Sequence, residues 1–126
     1  MRDVSGIGVD IVDITRLRQL CRHKAFTEKV FTKSELGYAK SKGNSIPHLA
    51  AIFAAKEAIL KAAGTGWTGD NEIEIKHERC GRPYAATFGS LSKTVNGKEL
   101  LISMSFSADY AIAFAFLSKA HSRKRS

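Results

Sequence analysis

Phe53-Ala54-Ala55-Lys56-Glu57-Ala58-Ile59-Leu60-Lys61-Ala62 is the stretch that decides how this 126-residue chain folds. It lies inside a helical pattern that the sequence predicts from about Pro47 to Ala63, with Gly64 as the C-terminal stop. At about 100° per residue, the large apolar side chains gather on one side of this helix and alanines on the other. A helix that is apolar all round is normally buried. We therefore expect it to form the centre of the fold.

Three charged side chains interrupt this apolar helix: Lys56, Glu57 and Lys61. Glu57 and Lys61 are one turn apart, which allows an intrahelical ion pair worth a few tenths of a kcal/mol on an exposed face. Charges on a helix without a polar face must be paired, solvated in a cleft or bound to a ligand, because an isolated buried charge is costly. One carboxylate beside two ammonium groups suits a metal ion together with a polyphosphate. From the residues alone, the ion pair and the ligand site both stay open.

Composition indicates one globular domain, residues 1–118, followed by a basic tail, 119–126, that we expect to be disordered. Hydrophobic residues make up 44% of the chain and charged residues 25%, which are ordinary globular values. The chain shows no apolar run of transmembrane length and no signal peptide pattern, which predicts a cytoplasmic protein outside the membrane. The two cysteines, far apart in the sequence, are typical of reduced thiols and not of a zinc site.

The net charge of +8 predicts an acidic partner, whether nucleic acid, anionic lipid, phosphorylated ligand or acidic protein. Several of the cations lie on a short amphipathic helix that Asp13 caps, and the segment from Arg16 to Lys24 includes Arg22. This basic segment is either a solvated face or a docking surface. A nucleic-acid-binding module is the alternative function, although the chain has no helix-turn-helix, RNA-recognition or zinc-finger pattern.

The first predicted strand, Val4 to Val12, carries an acid in an unusual place. Asp10 lies within an otherwise apolar strand, where carboxylates are uncommon. Gly6 and Gly8 share its face of the strand and leave room for backbone or ligand to approach closely. Asp10 is therefore a candidate functional residue.

The remaining pattern predicts an α+β fold, with helices in the first half of the chain and most strands in the second. Thr32 and Glu35 form a capping-box pattern that opens a short helix. Further strands are predicted over 72–77, 84–88, 100–107 and 110–117. The last strand is almost continuously apolar, which predicts burial on both faces. Trp67 is expected in the core, and the four histidines are expected to be scattered surface residues.

Taken in order, these motifs resemble the holo-[acyl-carrier-protein] synthase family, the small phosphopantetheinyl transferases. The resemblance covers almost the whole chain, and its ordered set of motifs is specific. The matching segments are 6–12, 30–36, 53–58 with Lys61, 64–66, 81–84, 103–105 and 110–111. The resemblance implies the 4′-phosphopantetheinyl transferase fold, with the central helix packed on a mainly antiparallel sheet.

The resemblance also implies a reaction: Mg²⁺-dependent transfer of the 4′-phosphopantetheine arm of coenzyme A to a serine of apo-acyl carrier protein, for fatty acid biosynthesis. It implies a homotrimer with active sites at the subunit interfaces. By position, Asp10 and Glu57 match the metal-binding acids, and Arg16 matches a carrier-protein docking arginine, which Arg22 and Lys24 would assist. The residues expected to contact the cofactor are Lys56, Lys61, Gly64, Arg82, Pro83 and Ser105.

The same residues suggest how catalysis would work. Glu57, or a water that it orients, would take the serine proton. Lys61 would stabilise charge on the leaving phosphate. The chain departs from the family at Ile52, where an arginine is usual, and at Phe106, where a histidine is usual. Both changes predict weaker coenzyme A binding, and a catalytically weakened homologue that only binds carrier protein is a further alternative.

Overall fold

A 19-residue helix packed against one face of an antiparallel sheet organises the structure. The computed structural model describes residues 3–67 and 70–119. In chain order, the elements are β1 (Val4–Asp13), α1 (Ile14–Leu20), α2 (Lys24–Val30), α3 (Lys33–Ser41), α4 (Ser45–Ala63), β2 (Ile73–His77), β3 (Pro83–Thr87), α5 (Gly89–Thr94), β4 (Lys98–Phe106) and β5 (Tyr110–Lys119). The predicted α+β class is confirmed. The predicted tail lies outside the described residues, except for Lys119 at the end of β5.

The strands form two antiparallel sheets. The larger has the order β1-β5-β4, and β2 and β3 form a separate hairpin. In the larger sheet, Asp10 pairs with Ala113 and Ile7 with Phe116. The N-terminal strand therefore joins the C-terminal hairpin, and this places Asp10 in the sheet that α4 covers.

Two glycines allow β1 to lie directly against α4. A Cβ atom on Gly8 would lie 2.0 Å from the carbonyl oxygen of Ala58, and one on Gly6 would lie 1.9 Å from that of Ala62. Any side chain at these positions would push the strand away from the helix. The small residues on both elements thus bring the acid of β1 close to the charged residues of α4.

The predicted burial of β5 on both faces is wrong. Its alanines and Leu117 point inward against α4, whereas the alternate residues are exposed. Together with neighbouring strands they form an outer apolar face, whose side chains are 38–62% exposed. This outer apolar face consists of Ile7, Val9, Ile11, Leu101, Ile112, Phe114 and Phe116. The sequence of β5 is apolar throughout because one face of the strand packs against α4 and the other belongs to the outer apolar face.

Several local signals hold in the structure. Thr32 Oγ1 accepts from the backbone N–H of Glu35 at 3.1 Å, and the Glu35 carboxylate accepts from the N–H of Thr32 at 2.9 Å, which is the predicted capping box. Asp13 caps α1 by accepting from the N–H of Arg16. Gly64 ends α4 at φ 74°, a left-handed conformation that favours glycine. The short helix α5 was not predicted. Within the described part of the chain, no helix has the length and apolarity needed to cross a membrane.

Candidate active site

A cleft of about 470 Å³ opens between β1, α1 and α4. Three of the residues singled out from the sequence, Asp10, Arg16 and Glu57, line it together. Its other walls are Ile11, Val12, Asp13, Leu17, Leu20, Phe53 and Tyr110. Three carboxylates and a guanidinium share the cleft with apolar side chains, which makes it the candidate active site. Of the three acids, Asp13 already caps α1, which leaves Asp10 and Glu57 as the candidate ligands.

Lys61 joins α4 to the acid of β1. Its Nζ lies 3.1 Å from Asp10 Oδ1 and donates to the carbonyl oxygen of Val9 at 2.9 Å. The Asp10 side chain is 17% exposed and that of Lys61 55%. Lys61 thus pairs with the strand and not with Glu57, so the intrahelical pair considered from spacing is not the arrangement found. The Lys61 side chain is half-exposed next to Asp10, although Lys61 itself is not among the residues that line the cleft.

Glu57 has a partner that the sequence did not indicate. Its Oε2 accepts a hydrogen bond from the indole Nε1 of Trp67. Trp67 is 40% exposed, so the prediction that it belongs to the core is wrong. The residue stands in a glycine-rich loop without apolar periodicity, and no pattern there could show which side chain the indole reaches.

Lys56 faces away from the cleft, so the structure contradicts its assignment to cofactor binding. The side chain is fully buried, and its Nζ contacts Glu35 Oε1 at 2.7 Å, the Val30 carbonyl at 2.6 Å and Asn71 Oδ1 at 3.1 Å. Burial lowers the pKa of Lys56, and the opposing attraction of Glu35 favours its charged form. An ammonium with three protein acceptors has no donor left for a phosphate.

A second cavity of about 310 Å³ lies beside β3 and β4, and Pro83 and Ser105 line it. The structure brings two histidines here that the sequence suggested were unrelated surface residues. His77 stacks on Tyr38 with 3.8 Å between ring centroids, and His48 meets Phe106 edge-on at 5.0 Å. The pKa of His77 is lowered by burial and by the nearby charges of Lys42 and His48.

The other predicted site residues are exposed. Gly64 follows the last turn of α4, and Arg82 lies in the turn before β3. Arg22 and Lys24 lie beyond α1 and do not line the cleft, and Lys24 makes an exposed ion pair with Glu28 at 3.8 Å. Ile52 is buried in the core and lines neither cavity, so the expected effect of this residue on the cofactor has no contact to support it.

The donor set of the cleft limits what it could hold. Among the described residues there is no group of three or more His, Cys, Asp and Glu side chains that could hold a metal ion. Asp10 and Glu57 supply two carboxylates, which is what Mg²⁺ commonly takes from a protein when phosphates and water provide its other ligands. The cleft therefore fits a Mg²⁺ ion that arrives with a phosphate-bearing ligand.

Sequence comparison matches this chain to known proteins over most of its length. The model of the 4′-phosphopantetheinyl transferase superfamily matches residues 6–115. A holo-[acyl-carrier-protein] synthase of Cytophaga hutchinsonii is 42% identical over 125 residues, which cover 92% of this chain and 98% of that protein. One from Fusobacterium nucleatum is 36% identical over 120 residues, 90% of this chain and 98% of the relative.

Solved structures of the same kind of protein are similar to this chain in fold. A holo-[acyl-carrier-protein] synthase of Neisseria meningitidis has a TM-score of 0.82 at 35% identity, covering 92% of this chain and 99% of the other. The Helicobacter pylori enzyme in complex with coenzyme A has a TM-score of 0.74 at 30% identity, with coverages of 89% and 99%.

Proposed function

The chain belongs to the 4′-phosphopantetheinyl transferase superfamily, and we propose that it transfers 4′-phosphopantetheine from coenzyme A to a serine of apo-acyl carrier protein. The expected 4′-phosphopantetheinyl transferase fold is confirmed by the solved relatives. The observation that carries the proposal is the shared cleft of Asp10, Glu57 and Arg16. In this proposal, the two acids hold a metal ion and Arg16 meets an acidic protein substrate. Holo-acyl carrier protein made in this way would serve fatty acid biosynthesis.

The proposed chemistry uses Asp10 and Glu57, which line the cleft, and Lys61, which pairs with Asp10. Asp10 and Glu57 would hold Mg²⁺, whose chemistry is to neutralise the pyrophosphate of coenzyme A and polarise the phosphorus under attack. Glu57, or a water that it orients, accepts the proton of the substrate serine. Lys61 offers its accessible ammonium to the phosphate that leaves as adenosine 3′,5′-bisphosphate. The phosphorus–oxygen bond to the serine forms as the bond within the pyrophosphate breaks.

The acyl carrier protein would dock beside this cleft. Arg16 lines the cleft itself, and Arg22 and Lys24 extend its positive charge along the exposed surface that follows α1. Carrier proteins of this pathway are acidic, so these cations would steer the substrate and raise its association rate. Salt should weaken this attraction by screening it.

We propose the homotrimer that the family resemblance implies, and the division of the proposed cofactor residues over two cavities supports active sites at its interfaces. Asp10 and Glu57 line the cleft, whereas Pro83 and Ser105 line the second cavity. A subunit interface would bring the cleft of one copy to the second cavity of another. The outer apolar face supports this assembly, because contiguous exposed patches of this kind commonly mark interaction surfaces.

Mass spectrometry of apo-acyl carrier protein incubated with the protein, coenzyme A and Mg²⁺ tests the proposed function. We expect the carrier protein to gain the mass of phosphopantetheine, and the serine-to-alanine carrier protein to gain nothing. Binding of the carrier protein without any mass gain would instead identify a homologue that has lost catalysis. Neither binding nor transfer would reject the proposal.

A further inference from the structure

The two acids of the cleft are held in a similar way, each by a donor on one oxygen. Lys61 contacts Oδ1 of Asp10, and Trp67 donates to Oε2 of Glu57. Among the described residues, the hydrogen bonds to these two carboxylates are all made to Asp10 Oδ1 and Glu57 Oε2. Each acid therefore keeps its second oxygen, Oδ2 or Oε1, for a ligand in the cleft. A carboxylate has enough lone pairs to accept from an outer donor and still bind a cation.

Described residues before and after Trp67 are hydrogen-bonded to the rest of the fold. On one side, the N–H groups of Gly64 and Thr65 bond to the last carbonyls of α4 at 3.1 and 3.0 Å. On the other, Asn71 accepts from the buried Lys56 and donates to the Val30 carbonyl at 3.0 Å. Lys56 and Glu57 are consecutive residues of α4. The Lys56 side chain bonds to Asn71, and the Glu57 side chain bonds to the Trp67 indole.

The chemistry of the indole suits an orienting role. Its N–H group is a donor only, so it can neither bind a cation nor take a proton from a substrate. A bicyclic side chain with two rotatable bonds holds its donor in place better than a flexible amine does. Donors outside a metal site that orient its carboxylates typically change metal affinity by about 10–100-fold.

We propose that Trp67 is a positioning residue for Glu57, holding Oε2 through its indole N–H so that Oε1 faces the divalent cation. This inference rests on the proposed role of Glu57 as a metal ligand. It predicts that the indole strengthens cation binding without touching the cation. A tryptophan that instead blocked Glu57 would weaken cation binding, so the two roles have opposite consequences.

Calorimetric titration of the full chain with MgCl₂, without and with coenzyme A, tests the proposal. We expect Trp67→Phe, which keeps an aromatic ring and loses the donor, to bind Mg²⁺ about 10–100-fold more weakly. Trp67→His, which retains a ring N–H, should recover part of the affinity. Phe88→Leu, which removes an exposed aromatic residue at the start of α5, is the matched control and should leave the affinity unchanged.

Trp67 is the only tryptophan of the chain, so its fluorescence gives an independent readout. In the wild type, Mg²⁺ should change the emission with the same dissociation constant as the calorimetry, and Glu57→Gln should abolish the change. Equal or tighter Mg²⁺ binding by Trp67→Phe, with a native circular dichroism spectrum, would overturn the proposal, and so would a wild type that binds no Mg²⁺. The mass-spectrometric assay tests the transferase activity separately from the role of Trp67. If Mg²⁺ binding depends on the indole but no phosphopantetheine is transferred, only the transferase activity is rejected.

Discussion

Lys61 and Asp10 connect the last turn of α4 to the middle of β1, with 3.1 Å between Nζ and Oδ1. The lysine side chain is 55% exposed, whereas that of Asp10 is 17% exposed. Half-exposed ion pairs contribute at most about 1 kcal/mol to stability. The value of this contact therefore lies in where it holds the ammonium, and the stability of the fold depends little on it.

Lys61→Met should reduce kcat by about 10²–10³-fold, the usual cost of losing one group that stabilises developing charge. The free energy of unfolding should change by less than about 1 kcal/mol. Steady-state transfer assays and urea denaturation measure the two effects. Lys76→Met, which breaks an exposed pair with Glu74, is the control that should affect neither. A large loss of stability with unchanged kcat would show that Lys61 is structural.

Lys56→Met should have the opposite profile, because Lys56 and Glu35 are both fully buried and pair at 2.7 Å. Removing one partner of such a pair leaves an uncompensated buried charge and costs about 3–5 kcal/mol. Urea denaturation measures the loss, with Lys61→Met as the matched exposed lysine on the same helix. A loss below about 1 kcal/mol for Lys56→Met would contradict the account of the buried pair.

Gly8→Ala should separate β1 from α4. The new Cβ would meet the Ala58 carbonyl oxygen at 2.0 Å, so the backbone must shift, at a cost of about 1–3 kcal/mol or more. Gly37→Ala is the control, since this glycine lies inside α3 with open space around it, and alanine should stabilise the helix by about 0.5–1 kcal/mol. Thermal unfolding compares the two, and a stable Gly8→Ala protein would argue against the close strand–helix contact.

Phe114→Asp should convert the proposed trimer to monomers, because Phe114 lies in the outer apolar face, whereas its neighbours Ala113 and Ala115 are buried on the opposite face of β5. Light scattering after size-exclusion chromatography measures the mass. We expect the monomer to be folded and to lose transfer activity, since the cleft would lack the second cavity of a neighbour. Phe88→Asp, at an equally exposed aromatic residue outside this face, should stay trimeric. A monomeric, active wild type would reject the assembly.

Much of the secondary structure could be predicted from the sequence, because the strongest sequence signals are local. Helix α4 follows from its apolar pattern, the capping box from Thr32 and Glu35, and Asp10 was conspicuous as an acid in a strand. Contacts between residues far apart in the chain could not be predicted from these local patterns. Helical spacing shows on which side of α4 Lys56 lies. It does not show that Glu35, 21 residues earlier in the chain, is the partner of Lys56 on that side.

The same limit applies to the site. Nothing in a glycine-rich loop indicates that Trp67 reaches Glu57, and His48 and His77 meet at Tyr38 only because α3, α4 and β2 pack together. The sequence predicts burial of β5 on both faces because a continuously apolar pattern does not show whether anything covers the second face of a strand. In the structure that second face is exposed.

We propose that Asp10 and Glu57 bind one divalent cation between them. Calorimetric Mg²⁺ titration of Asp10→Asn, Glu57→Gln and the double variant is the decisive measurement. We predict one ion per cleft in the wild type, with each single variant losing more affinity than the ~10–100-fold expected for an outer donor. The loss of binding free energy in the double variant should be smaller than the sum of the two single losses, because both acids serve the same ion. Wild-type affinity in either single variant would contradict the claim.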